Sequence, residues 1–108
     1  MNETFVYITT TGRKTGLPRE IEIWFVERDG FLYVLSEHRL KAHWVRNILA
    51  NSSVTIRLSD KRWKATARVL DAARDADLYT KVQALARDKY GWGDGLPVEF
   101  RLHEKLQD

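Results

Sequence analysis

The sequence predicts a mainly β domain with two helices, closed into a small barrel. Three observations carry this reading. Several stretches alternate apolar and polar residues at the period of a strand. Turns short enough for hairpins join most of them. Only two stretches, residues 41–50 and about 71–89, shift to a helical period. The order is βββ-α-ββ-α-β over one domain, residues 1–108. Hairpin-linked strands pair antiparallel, and short strands must either close on themselves or have their edges covered. A barrel with helices packed at its ends meets that need, ahead of an open sheet with helices on one face.

Each element has its own warrant. Residues 5–11, FVYITTT, are β-branched and aromatic and read as a strand. The segment GRKTGLP then turns the chain, with Pro18 fixing its own backbone and holding Leu17 extended. In REIEIWFVE, Ile21, Ile23 and Phe25 fall on one face and Glu20, Glu22 and Trp24 on the other. RDG at 28–30 makes a hairpin turn into the apolar strand FLYVLS. In KAHWVRNILA, Trp44, Val45, Ile48 and Leu49 form one stripe of a short helix. VTIRL points Val54, Ile56 and Leu58 inward, and WKATARVLD does the same with Trp63, Ala65, Ala67 and Val69. The long helix buries Leu78, Tyr79, Val82, Leu85 and Ala86, and Gly91 is placed to cap it. After YGWGDGLP, the last strand VEFRL turns Val98, Phe100 and Leu102 inward.

Composition narrows the function classes. The chain has no cysteine, so neither a disulfide framework nor a thiolate metal site is available. Its three histidines, His38, His43 and His103, show no zinc-ligand spacing, and no metal is expected. No apolar run reaches the ~18 residues of a membrane span, and the first residues read as no signal peptide, so a cytoplasmic location is expected. A net charge of +3 is mild and suits a small anion as well as a polymer. Outward Arg57, Lys64 and Arg68 make a basic patch, but no RNA-binding motif accompanies it and no nucleic-acid partner is expected.

Two features need a ligand to explain them. Arg13, Lys14 and Arg19 gather three cations on a glycine-flanked turn with no acid among them. The segment lacks the spacing of a nucleotide P-loop and no helix follows it. Its amides, the Thr15 hydroxyl and its cations could instead hold another anion, or simply be solvated. Trp24 interrupts a polar strand face, and Trp92 lies between glycines on a loop. A pocket for a flat ligand explains both rings, and so does a subunit interface of a homodimer.

The pair of segments TTTGRKTGLPR and WVRNILAN, with Ser36 after a hydrophobic strand, resembles the deazaflavin-dependent nitroreductase family. The resemblance covers about residues 8 to 70, and the final helix and strand also fit. It implies a split β-barrel related to the FMN-binding, pyridoxamine-phosphate-oxidase-like barrels, and coenzyme F420 as cofactor. By the same resemblance, Arg13, Lys14, Thr15 and Arg19 grip the phosphate and polyglutamate tail, while Ser36 lies near the phosphate or ring edge. Trp44 and Asn47 position the covering loop, and Trp24 stands at the mouth of the substrate pocket beside Trp92. Glu37 occupies the place of an expected lysine, whose charge Arg39 or Lys41 would restore. Tyr90 is the candidate for protonating or orienting the acceptor. The implied function is hydride transfer from reduced F420 to a quinone, activated C=C bond or nitroaromatic compound. The alternatives are an FMN-binding oxidoreductase of the same fold and a flavin- or deazaflavin-binding protein without catalysis.

Overall fold

A computed structural model describes residues 3–106. The strands are β1 (Phe5–Thr11), β2 (Pro18–Trp24), β3 (Val26–Arg28), β4 (Phe31–Ser36), β5 (Ser53–Leu58), β6 (Lys61–Val69) and β7 (Leu96–Leu106). Helices α1 (His43–Ala50) and α2 (Ala76–Tyr90) complete the fold, with a 3-10 turn at Arg39–Lys41 leading into α1. All the strand pairings are antiparallel, in the order β2-β1-β5-β6-β7-β4-β3. The fold is the split β-barrel expected from the sequence.

The sheet order explains how the barrel curls. Its two edge strands, β2 and β3, are neighbours in the chain, parted only by Phe25. A chain that leaves one edge and joins the other must bring both edges together, and β2 indeed packs against β4. The expected single strand over 19–27 is therefore two strands. At the break, Phe25 is buried, and its backbone groups leave the ladder for the end of α2. Its N–H donates to the Tyr90 hydroxyl at 3.1 Å, and its carbonyl accepts from Tyr90 at 2.7 Å and from Lys89 Nζ at 3.0 Å. Buried backbone groups need partners, and here side chains from a distant helix supply them.

Alternation delivers the core as expected. Val6, Ile8, Val54, Ile56, Leu58, Ala65, Ala67, Val98 and Phe100 all point into the barrel, and α1 adds Val45 and Ile48. A second cluster joins Tyr33 and Leu35 of β4 to Val82 and Ala86 of α2. The Asp29-Gly30 pair has φ of 53° and 84°, the left-handed conformation of a tight hairpin turn. Gly91 ends α2 in the same region, with its N–H on the Arg87 carbonyl at 2.8 Å.

Two expectations shift. Leu49 is 61% exposed, and the inner position of its stripe belongs to Asn47, which is 4% exposed. The long helix begins at Ala76, not Asp71, because two carboxylates capture the preceding turn. Asp71 Oδ1 accepts from the N–H groups of Ala73 and Arg74, and Asp75 Oδ2 accepts from that of Asp71. Those bonds hold both carboxyls below the ordinary carboxylate range. Such side-chain bonding competes with a helix and favours a turn.

Candidate functional site

The basic turn is built to be rigid. The Gly12 N–H donates to the Leu17 carbonyl at 2.8 Å, and the Gly16 N–H to the Gly12 carbonyl at 2.7 Å. Gly16 has φ of 73°, a conformation that favours glycine. Thr15 Oγ1 accepts from the Leu17 N–H at 3.2 Å and braces the loop from inside.

A strap then fixes this turn to α1. Asn47 Oδ1 accepts from the Arg13 N–H at 3.2 Å and from Arg13 Nη1 at 2.9 Å, while its Nδ2 donates to Thr10 Oγ1 at 3.1 Å. Arg13 also donates from Nη1 to the His43 carbonyl and lies 3.2 Å from His43 Nδ1 through Nη2. Since the guanidinium can only donate, that ring nitrogen accepts. Arg13 therefore spends much of its fork on the helix. Lys14, Arg19 and Lys41 form no ion pair among the described residues.

These residues surround a cavity of about 800 Å³, lined by Arg13, Lys14, Thr15, Arg19, Lys41 and Asn47 among others. Of the two residues expected to restore the charge missing at Glu37, Lys41 lines this cavity. Arg39 turns away, donating to Tyr79 Oη at 2.9 Å and to the Asp94 carbonyl at 2.7 Å. The one acid among the described residues of these walls, Glu20, pairs with Arg57 instead, so the cations repel one another and a bound anion relieves that cost.

A second cavity, about 610 Å³, adjoins the first. Its walls include Trp24, Tyr90, Trp92, Ser36 and Glu37, and it shares His38, Ala42 and Trp44 with the basic cavity. Trp24 and Tyr90 stack with ring centroids 4.6 Å apart and planes 1° from parallel. Trp92 is half-buried on its loop. Every site residue expected from the sequence thus lines one of two adjoining cavities.

Several hydroxyls here are already committed. Tyr90 Oη lies 2.7 Å from both the Thr4 and Phe25 carbonyls, and it accepts from the Phe25 N–H. Ser36, 1% exposed, donates to the Arg39 carbonyl at 3.0 Å and so fixes the turn that presents Lys41. Tyr33 donates to Glu99 at 2.9 Å; burial, then that bond, raises its phenol well above the ordinary range. Tyr90→Phe is expected to cost about 1–2 kcal/mol of stability, since the buried Phe25 amide loses its acceptor. Thermal denaturation checks this, and an unchanged melting temperature would show that the strand break does not depend on the hydroxyl.

The basic patch on the outer sheet is largely neutralised. Arg57 pairs with Glu20 at 3.5 Å and lies 3.9 Å from the Tyr7 ring centroid. Arg68 pairs with Asp75 at 3.0 Å and Glu99 at 3.2 Å. Among the described residues no three His, Asp or Glu side chains are grouped to hold a metal, and no helix is long and apolar enough to cross a membrane.

Residues 1–99 match the family model described as F420H(2)-dependent quinone reductase. No curated protein matches the sequence. Among solved structures, an F420-H2 dependent reductase, FDR-A, is 26% identical with a TM-score of 0.67, covering 94% of this chain and 95% of its own. HutZ, the heme storage protein from Vibrio cholerae, is 22% identical with a TM-score of 0.71, covering 98% and 84%. A Listeria innocua protein named for pyridoxamine 5'-phosphate oxidase has a TM-score of 0.76 at 10% identity, covering 96% and 87%. The last two likenesses establish the fold alone. Unpaired cations beside an aromatic cavity fit the acidic tail and flat ring of a deazaflavin, in agreement with the family match. The chain belongs to the F420H(2)-dependent quinone reductase family and is an oxidoreductase that uses coenzyme F420.

Proposed function

We propose that the protein reduces a flat, electron-poor acceptor, a quinone before an activated C=C bond or a nitroaromatic compound. The observation that carries this reading is that the two cavities adjoin, sharing His38, Ala42 and Trp44 in their walls. It sets a cationic site directly beside an aromatic one, so that a single extended ligand can reach both.

Each end has a separate task. Lys14, Arg19 and Lys41, with the remaining Arg13 donors and Thr15, hold the phosphate and tail carboxylates. Lysines act there as point charges and arginines as forks. Asn47 keeps Arg13 in place, Ser36 holds the 3-10 turn, and Trp44 forms the wall common to both spaces. Trp24, Tyr90 and Trp92 line the aromatic end and orient a planar acceptor by stacking. Because its hydroxyl is engaged with Phe25, Tyr90 orients through its ring. When bound, reduced F420 supplies a hydride; the chain supplies alignment and exclusion of water.

Titration with oxidised F420 and, separately, FMN, followed by tryptophan quenching, tests the site. Binding of F420 in preference to FMN, then turnover of a quinone by the reduced cofactor, is the expected result. FMN preference would keep the fold and overturn the function. Binding of F420 without turnover on any acceptor class would leave a carrier protein.

A further inference from the structure

We infer that His38 is the acid that protonates the acceptor oxygen during quinone reduction. The inference rests on the proposed quinone reading. Hydride addition to a quinone carbon or oxygen leaves an oxyanion, and completion of the hydroquinone requires one proton. In the step assigned here, the N–H bond of the His38 imidazolium breaks and an O–H bond forms on the acceptor. The ring is left neutral and regains its proton from solvent; the two electrons arrive with the hydride from reduced F420.

The aromatic cavity offers few other donors. The Tyr90 proton is given to backbone carbonyls, that of Tyr33 to Glu99, and that of Ser36 to the Arg39 carbonyl. Of the two carboxyl groups in these walls, Glu22 accepts from the Tyr7 hydroxyl and Glu37 has no side-chain partner among the described residues, and a carboxylate accepts hydrogen bonds but has no proton to give. The indoles of Trp24, Trp44 and Trp92 are not acids near neutral pH. His38 makes no side-chain hydrogen bond among the described residues, is exposed, and lines both cavities where they meet. It precedes the 3-10 turn, whose Lys41 N–H donates to the His38 carbonyl at 2.9 Å, so its backbone is fixed while its ring is free. Imidazole is also the side chain best suited to exchange a proton near neutrality. His43, the other histidine at the site, has one ring nitrogen against Arg13 and lines the basic cavity only.

The test compares wild type with His38→Gln, using F420H2 and two acceptors. One is a soluble naphthoquinone, which needs a proton after the hydride. The other is N-methylphenazinium, a cation that the hydride alone converts to a neutral product. The ratio of quinone to phenazinium turnover is expected to fall about 100-fold in the variant, the lower range of general acid catalysis, and added imidazole is expected to restore part of it. Equal losses with both acceptors would make His38 structural, and an unchanged ratio would remove it from the reaction; either overturns the inference. A second readout does not depend on turnover. The His38 ring resonances of protein with oxidised F420 should shift on adding naphthohydroquinone, and unmoved resonances overturn the contact. If wild type binds F420 but reduces phenazinium and no quinone, the quinone reading itself fails, and this assignment with it.

Discussion

Replacing Lys14 and Arg19 together by alanine is expected to weaken F420 binding by roughly 100-fold or more while leaving the fold intact. A hydrogen bond to a charged group contributes about 1.5–3 kcal/mol. Two such losses reach at least about 3 kcal/mol, and each 1.4 kcal/mol is a factor of ten. Neither side chain has an ion-pair partner among the described residues, and both are exposed, so their removal strands nothing in the protein. Tryptophan quenching at low and moderate salt measures the effect, and the loss should shrink as salt screens the turn. A dissociation constant within threefold of wild type would place the cofactor elsewhere. Arg13→Ala is a less clean test, because it also cuts the strap to Asn47 and His43.

Much of this arrangement is legible in the sequence because strands advertise their faces. Ile21, Ile23 and Phe25 do face the core, and Val54, Ile56 and Leu58 do alternate inward. A one-residue error would reverse every face, so burial enforces the pattern wherever one side is apolar. The break at Phe25 is invisible in that pattern, since alternation runs straight through it. It follows from a tertiary demand, that one stretch serve both sheet edges, and its backbone is satisfied by Tyr90, 65 positions away. The helical stripe misplaces Leu49 for a related reason. Hydrophobicity ranks leucine above asparagine, yet the helix turns Asn47 inward because the basic turn needs an amide partner there.

The site was legible to unequal degrees. The turn declares itself by concentrating charge without acids, and Trp24 by interrupting a polar face. Their adjacency is not readable, because it depends on Trp44, Ala42 and His38 being brought between them by the 3-10 turn and α1. Among histidines, spacing speaks only to metal ligation, and by that measure His38 is unremarkable. Its interest comes from what surrounds it. The neighbouring hydroxyls are all committed to other partners, a fact that exists only once the chain is folded.

Gly93→Ala is expected to be the most disruptive small change near the aromatic cavity. The residue is buried, and a β-carbon there would overlap the carbonyl oxygen of Gln83 in α2 and lie 3.2 Å from Arg87 Cβ. The first obstacle is helix backbone, which cannot rotate aside as a side chain can. Either the loop lifts or α2 moves, and the loop is otherwise tied down by the Gln83 side chain on the Gly95 carbonyl at 3.0 Å. Overpacking of this kind costs about 3 kcal/mol, the upper part of its usual range, or a fall in melting temperature of roughly 12 °C or more in a domain of this size. Gly91→Ala serves as the comparison. That glycine has φ of 78° but open space around its β position, so the cost there is conformational only, about 1 kcal/mol. Gly93 has no positive φ, so its substitution isolates the steric contact. Since Trp92 rides on the same loop, the variant that still folds should also bind the naphthoquinone more weakly, with F420 affinity less affected. Equal melting temperatures for the two variants would show that the loop does not sit against α2, and the aromatic cavity would then lack the wall that Trp92 provides.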